Sequence, residues 1–321
     1  MGRLRVMAAA LLLAACTSGQ PPTPAPTTVA APVPGGESAW RRLAQAPSER
    51  TEVAAAAVGD RIYVLGGYGP DGATLTTVEV FDTGAGTWAR GPDLPVAVNH
   101  AMAATLDGVL YLAGGNDGDG PSSQAARLDG DGWRRLAPLP QGRSAGGLVA
   151  LDGRLYLVGG VVEGGLAADT QVYDPAADRW TPAPGLPTPR EHLGAAGSGG
   201  RVYVVGGRTG GIGGNLDVAE AFDPAAGRWS SLPPMPTARG GLAATATASG
   251  QVVAVGGEAA ATFEEVEAFD PGSGRWRSLA PLPTPRHGLG VVAVGDVVYV
   301  LAGGPRPGLH TSAANEAIDL G

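Results

Sequence analysis

The chain has no lysine: every one of its 22 basic residues is an arginine. Chemistry that needs a side-chain amine is thereby excluded, including Schiff bases, pyridoxal-phosphate attachment and the lysine of a phosphate-binding loop. Cysteine is nearly absent as well. Cys16 is the sole one, so no disulfide can form within the chain. The arginines are scattered against a formal charge of -8, which leaves no basic patch for nucleic acid. Aromatic residues are few, at 5%, and there are four histidines. What abounds is glycine (53) and proline (28), far too many for a helical protein, while 44% apolar residues are too many for a disordered one. Many short strands joined by turns reconcile the two.

The first residues carry Arg3 and Arg5 and then an apolar run from Val6 to Ala15, the pattern of an export signal. The run is too short to remain as a membrane-spanning helix. It ends Leu13-Ala14-Ala15-Cys16, which resembles a bacterial lipoprotein signal. That resemblance implies cleavage before Cys16, lipidation of its thiol and an extracytoplasmic chain held at the membrane by the lipid. Residues 1–15 are accordingly expected to be the signal peptide and 16–39 the lipidated cysteine with a tether. Pro and Thr dominate the latter, without the apolar periodicity a fold requires. At about 3.1 Å per residue in polyproline II, the tether would reach up to roughly 60 Å from the membrane.

From Trp40 onward the chain repeats. Glycine doublets stand at Gly66, Gly114, Gly159, Gly206, Gly256 and Gly303, and the tryptophans at Trp40, Trp88, Trp133, Trp180, Trp229 and Trp276, both at intervals of 45 to 50 residues. Strand-rich repeats of this length are propeller blades. Each unit opens with small residues, as in Ala54-Ala55-Ala56-Ala57, which suits a strand facing a central channel. Each unit closes on prolines, as in Pro138-Leu139-Pro140, which suits a sheet edge. The string of Tyr and Gly-Gly, then an acidic strand ending in Asp-Pro, then Trp, resembles the kelch repeat. WD40 propellers, the competing family, end in Trp-Asp, and no unit here does. The expectation is an all-β, six-bladed kelch-type β-propeller over residues 40–321, with four antiparallel strands per blade. The strand at Trp40 should close the last blade, because the sixth unit stops without a tryptophan.

Arg50, Arg143, Arg190, Arg239 and Arg286 recur just before the inner strand and would suit an anion site. Each is matched by Glu79, Gln171, Glu220, Glu267 or Glu316 on the third strand. The second unit lacks both, with Val98 and Ala126 in their places, so the two side chains are expected to form structural pairs. The less repetitive residues on the same face are the ligand-binding candidates: Asn99, His100, Glu191, His192, Arg208, Glu258 and His287, together with Glu163, Arg306 and His310. The histidines stand apart in sequence, and none forms the i, i+3 or i, i+4 pair of a helical metal site. The loop from Asn116 to Gly120 lacks the distal glutamate of a calcium-binding hand. No metal, cofactor or catalytic residue is expected.

The expected function is a non-catalytic binding or scaffold protein of the cell envelope, a monomer presenting its propeller face to a protein or glycan. The alternative is a carbohydrate-active enzyme resembling the N-acetylneuraminate epimerases (mutarotases), with Glu191, Arg208 and Glu258 at its centre. Copper-radical chemistry of the galactose-oxidase kind is excluded, because it needs a cysteine crosslinked to a tyrosine.

Overall fold

Small residues, a tyrosine-bearing β-branched run, an acidic strand and a tryptophan strand follow one another unit by unit, with Val253 in place of the tyrosine in the fifth and Ala126 in place of the acidic residue in the second, and each set makes one four-stranded sheet. A computed structural model describes residues 39–321; the signal, Cys16 and nearly all of the Pro/Thr-rich segment lie outside the described residues. In the first blade Ala54–Val58, Arg61–Leu65, Val78–Asp82 and Thr87–Arg90 pair in sequence order, each antiparallel to the next. Five sheets repeat this order. The sixth is built from Gly290–Val294, Val297–Leu301 and Asn315–Asp319 with Arg41–Arg42 as its outer strand, in the register Arg41↔Ala317 and Arg42↔Glu316. The described residues thus form a six-bladed propeller closed by joining the two ends of the repeat region. A short hairpin, Val161–Val162 with Gly165–Leu166, decorates the third blade.

Two rings of hydrogen bonds hold the blades side by side. At the periphery each Trp Nε1–H donates to a backbone carbonyl of the preceding blade's outer strand or the loop after it. The acceptors are Ala280 for Trp40, Ala44 for Trp88, Pro92 for Trp133, Ala137 for Trp180, Pro184 for Trp229 and Pro233 for Trp276, all at 2.8–3.0 Å. Further in, the second glycine of each doublet donates its N–H to the next blade, as in Gly207 to the Arg239 carbonyl and Gly257 to the Arg286 carbonyl. The approach leaves no room for a side chain: a Cβ at Gly66 (φ +58) would overlap the Val98 carbonyl oxygen. Both rings explain why Gly and Trp mark the repeat, since each marks a contact between blades.

The sixth doublet departs from its apparent place in the sequence. Tyr299 looks one residue early if Gly303-Gly304 is the doublet. The structural equivalents are Ala302, at φ 54, and Gly303, whose N–H reaches the Arg50 carbonyl at 2.9 Å. Tyr299 is therefore in register with the other tyrosines.

The small residues of the innermost strands border an axial channel of about 110 Å³, lined by Val53, Ala55, Ala101, Gly147, Ala195 and Ala244 among others. Larger side chains pack between sheets, where Phe81, Phe222 and Phe269 each lie against their own blade's tryptophan at 5.1–5.3 Å between ring centroids. Such aromatic pairs add about 0.5–1.5 kcal/mol beyond the area they bury.

Candidate functional site

The arginines that precede the inner strands point into the protein. Arg50, Arg143, Arg190, Arg239 and Arg286 are all 0–1% exposed and rank with the largest fully buried side chains. Arg190 Nη1 meets Glu220 Oε2 at 2.5 Å, and Arg239 Nη1 meets Glu267 Oε2 at 2.7 Å. Arg286 Nη1 meets Glu316 Oε2 at 2.7 Å, and Arg50 Nη2 lies 3.0 Å from Glu79 Oε1. The remaining donors are absorbed by strand carbonyls, such as Arg190 Nε to Gly206 and Nη2 to Val204. Burial pulls the guanidiniums below their ordinary pKa, and the adjoining carboxylates oppose the fall.

The third blade differs. Arg143 Nη2 takes Asp169 Oδ1 at 2.6 Å, and Gln171 Nε2 donates to Asp169 Oδ2. The expected Arg143–Gln171 pair is thus replaced by Arg143–Asp169, for a charge reason. A neutral amide cannot balance a buried guanidinium, so a carboxylate two residues earlier does. A hydroxyl two residues before the arginine escaped the sequence reading. Thr188, Thr237 and Thr284 each donate to the glutamate's other oxygen at 2.7–2.9 Å, Ser48 donates at 2.6 Å to the Glu79 oxygen that also faces Arg50, and the third blade carries Gln141 in the hydroxyl's place. A Ser/Thr-x-Arg pattern before the inner strand was the available signal. In the second blade Val98 and Ala126 are buried, an apolar substitute for the whole pair.

Two residues beyond each arginine position, the chain adopts a left-handed conformation around the channel mouth. Glu52, His100, Ala145, His192, Gly241 and Gly288 occupy these places with φ between 51° and 70°. Their amides form a third ring. His100 N donates to the Glu52 carbonyl (3.0 Å), Ala145 to His100 (2.9 Å), His192 to Ala145 (2.8 Å), Gly241 to His192 (2.9 Å) and Gly288 to Gly241 (3.0 Å). Val53 N to the Gly288 carbonyl, at 3.3 Å, completes it. Non-glycine residues cost about 1–3 kcal/mol each in sparsely populated backbone regions and concentrate at functional sites.

The side chains of this mouth form a closed chain of contacts. Glu52 Oε2 lies 3.2 Å from His100 Nε2, and the His100 and His192 rings meet edge to face at 4.9 Å. His192 Nδ1 is bonded to Glu191 Oε2. Glu191 Oε1 accepts from Arg208 Nε at 2.9 Å, and Arg208 Nη1 donates to Glu258 Oε1 at 2.8 Å. His287 Nδ1 stands 3.5 Å from Glu258 Oε2 and 3.2 Å from Glu52 Oε1, which closes the circuit. Asn99 Oδ1 accepts from His100 Nδ1 at 2.6 Å. Burial works against charge at Glu52, but His100's charge and the His287 hydrogen bond outweigh it and hold the carboxyl well below the usual range. Burial pulls His287 down too, yet its bond to Glu52 and the Glu52 and Glu258 charges leave it raised. Burial opposes Arg208's charge, and its hydrogen bonds to Glu258 and Glu191 raise it above the ordinary value.

The structure thus gathers Asn99, His100, Glu191, His192, Arg208, Glu258 and His287 into one cluster. Glu163, Arg306 and His310 stay exposed on surrounding loops, although the Arg306 carbonyl lies 3.1 Å from His287 Nε2. Three histidines that stand apart in sequence converge in space, because the propeller axis brings equivalent positions of different blades together. Glu52 is the member that the sequence reading passed over. Its signal was its place two residues after Arg50, the repeat position that His100 and His192 also hold.

A profile described as the KLHDC2/KLHL20/DRC7 Kelch-repeats domain matches residues 137–304, more than half of the chain, and the Kelch motif matches residues 49–95. The chain belongs to the kelch-repeat family. It is 44% identical over 52 residues to Kelch-like protein 33 of Homo sapiens, covering 16% of this chain and 10% of that protein. It is 39% identical over 49 residues to Kelch-like protein 40 of Mus musculus, covering 15% and 8%. The matched segment thus spans about a tenth of each relative.

Proposed function

We propose that the chain is a non-catalytic binding protein of the cell envelope, held at the membrane by a lipid on Cys16. Its propeller presents the face bearing the second-to-third-strand loops to a protein or glycan partner. The observation that carries this reading is the pairing at the channel mouth. Glu191, Arg208 and Glu258, the residues an epimerase would use as acid, base and carboxylate anchor, are bonded to one another and nearly buried. Groups neutralised in this way make a rigid floor, and recognition falls to the loops around it. Those loops also carry Ile212 and Leu309, the exposed large hydrophobic residues among those described, 40% and 61% exposed.

A photocrosslinking residue at Leu309 or Ile212 is expected to give a discrete adduct in intact cells. The same probe at Asp131, on a turn of the opposite face, is expected to give none. Equal labelling from Asp131, or none from the loop face, would overturn the reading. So would mutarotation of N-acetylneuraminate that is accelerated by the purified chain and lost in Arg208→Ala. The anchor is tested separately: Cys16→Ser is expected to move the chain from the membrane fraction to the soluble fraction, and retention in the membrane would contradict lipid attachment.

A further inference from the structure

We infer that Glu52, His100 and His192 form a binding site for a divalent transition-metal ion of the zinc class at the mouth of the axial channel. One donor atom from each lies within 4.8 Å of the others. Glu52 Oε2 and His100 Nε2 are 3.2 Å apart. Bonds of about 2.0–2.1 Å around a tetrahedral ion place ligand atoms about 3.4 Å apart, so this edge is already set and the third closes with a small movement.

Hydrogen bonding on the far side of each ring points the same way. Asn99 Nδ2 donates to Thr74 Oγ1, and Asn116 Nδ2 donates to Asn99 Oδ1, so Asn99 Oδ1 is an acceptor and His100 Nδ1 carries the hydrogen. With Nδ1 bonded to Asn99, His100 turns Nε2 toward the Glu52 carboxylate, where a metal ion can take the place of a proton between the two. His192 Nδ1 is likewise committed to Glu191, leaving Nε2 as its free donor. A metal-bound histidine whose other nitrogen bonds a carboxylate or carbonyl oxygen is the usual outer-shell arrangement.

Charge and space agree. The carboxyl groups of Glu52, Glu191 and Glu258 converge on this mouth around the single guanidinium of Arg208. The three side chains are only 10–14% exposed. In the sixth blade a Cβ at Gly288 would stand 2.6 Å from the Glu52 carboxylate, so glycine there leaves the ligand its place. Ala145, at the equivalent position of the third blade, supplies no ligand atom. Two imidazoles and one carboxylate suit zinc or its neighbours rather than calcium or magnesium.

The test uses the tag-free full chain, stripped with chelator and titrated with Co2+. A single site with visible ligand-field absorption is expected, displaced by Zn2+ but not by excess Mg2+ or Ca2+. His100→Gln and His192→Gln should abolish the absorption, His310→Ala should leave it unchanged, and Asn99→Ala should weaken binding about 10- to 100-fold. Because a variant can fail to fold, imidazole nitrogen spectra of the wild type give a second readout, in which Zn2+ shifts Nε2 of two histidines. Absorption that survives both glutamine substitutions, or a wild type whose spectra Co2+ and Zn2+ leave unchanged, would overturn the site.

Discussion

Replacing Arg239 with methionine is expected to destabilise the propeller by about 3–5 kcal/mol, the usual effect of removing one partner of a buried ion pair. Glu267 is only 2% exposed, and one of its oxygens faces Arg239. Without the guanidinium, Thr237 alone still donates to that carboxylate, and the Ala254 carbonyl loses the donor it has at 3.1 Å. The melting midpoint should fall on the order of 10 °C. Removing both charges should behave differently. Arg239→Met/Glu267→Leu is expected to recover most of the loss, since a well-packed apolar pair can replace a buried ion pair without penalty. The second blade already does this with Val98 and Ala126. Thermal melts of the single and double variants measure the coupling. A single variant that melts like the wild type would contradict the structural role.

Deleting residues 40–47 is expected to unlatch the ring. The segment gives the last blade its outer strand, and Leu43 N and Ala46 N donate to the carbonyls of Asn315 and Ala313. It also supplies the Trp40 bond to Ala280 and the Ala44 carbonyl, which accepts from Trp88 and from Asn315 Nδ2, so three blades lose contacts at once. At roughly 1 kcal/mol net per hydrogen bond, the loss is on the order of 5 kcal/mol before the packing of Trp40 and Leu43 is considered. The strand Asn315–Asp319 becomes an open edge able to pair with another chain. Melting should drop and oligomers should appear on size exclusion. An unchanged melt with a monomeric profile would contradict closure by this strand.

The blades were legible because the contacts between them demand particular residues. Gly is needed where the next blade's carbonyl approaches, and Trp is needed where an indole N–H must reach a neighbouring carbonyl. The joint loss of Arg and Glu at Val98 and Ala126 likewise exposed a pairing that takes the form of short ion pairs in four blades. The channel-mouth cluster was harder to read. Its members lie up to 235 residues apart in sequence, as Glu52 and His287 do, and meet only because the closed ring of blades brings the entries to their inner strands around one axis. Spacing within a helix or loop carries no trace of such a meeting. Asp169 was hidden for a similar reason: it replaces a glutamate only where Gln171 has removed the charge.

The division between a buried arginine scaffold and a binding face of loops is tested most directly by photocrosslinking from Leu309 in the Arg239→Met/Glu267→Leu background. The predicted result is the adduct of the otherwise unchanged chain, in undiminished yield, because the buried pair supports the face without touching the partner. Loss of the adduct from a double variant that melts normally would place Arg239 in the binding site and contradict the account.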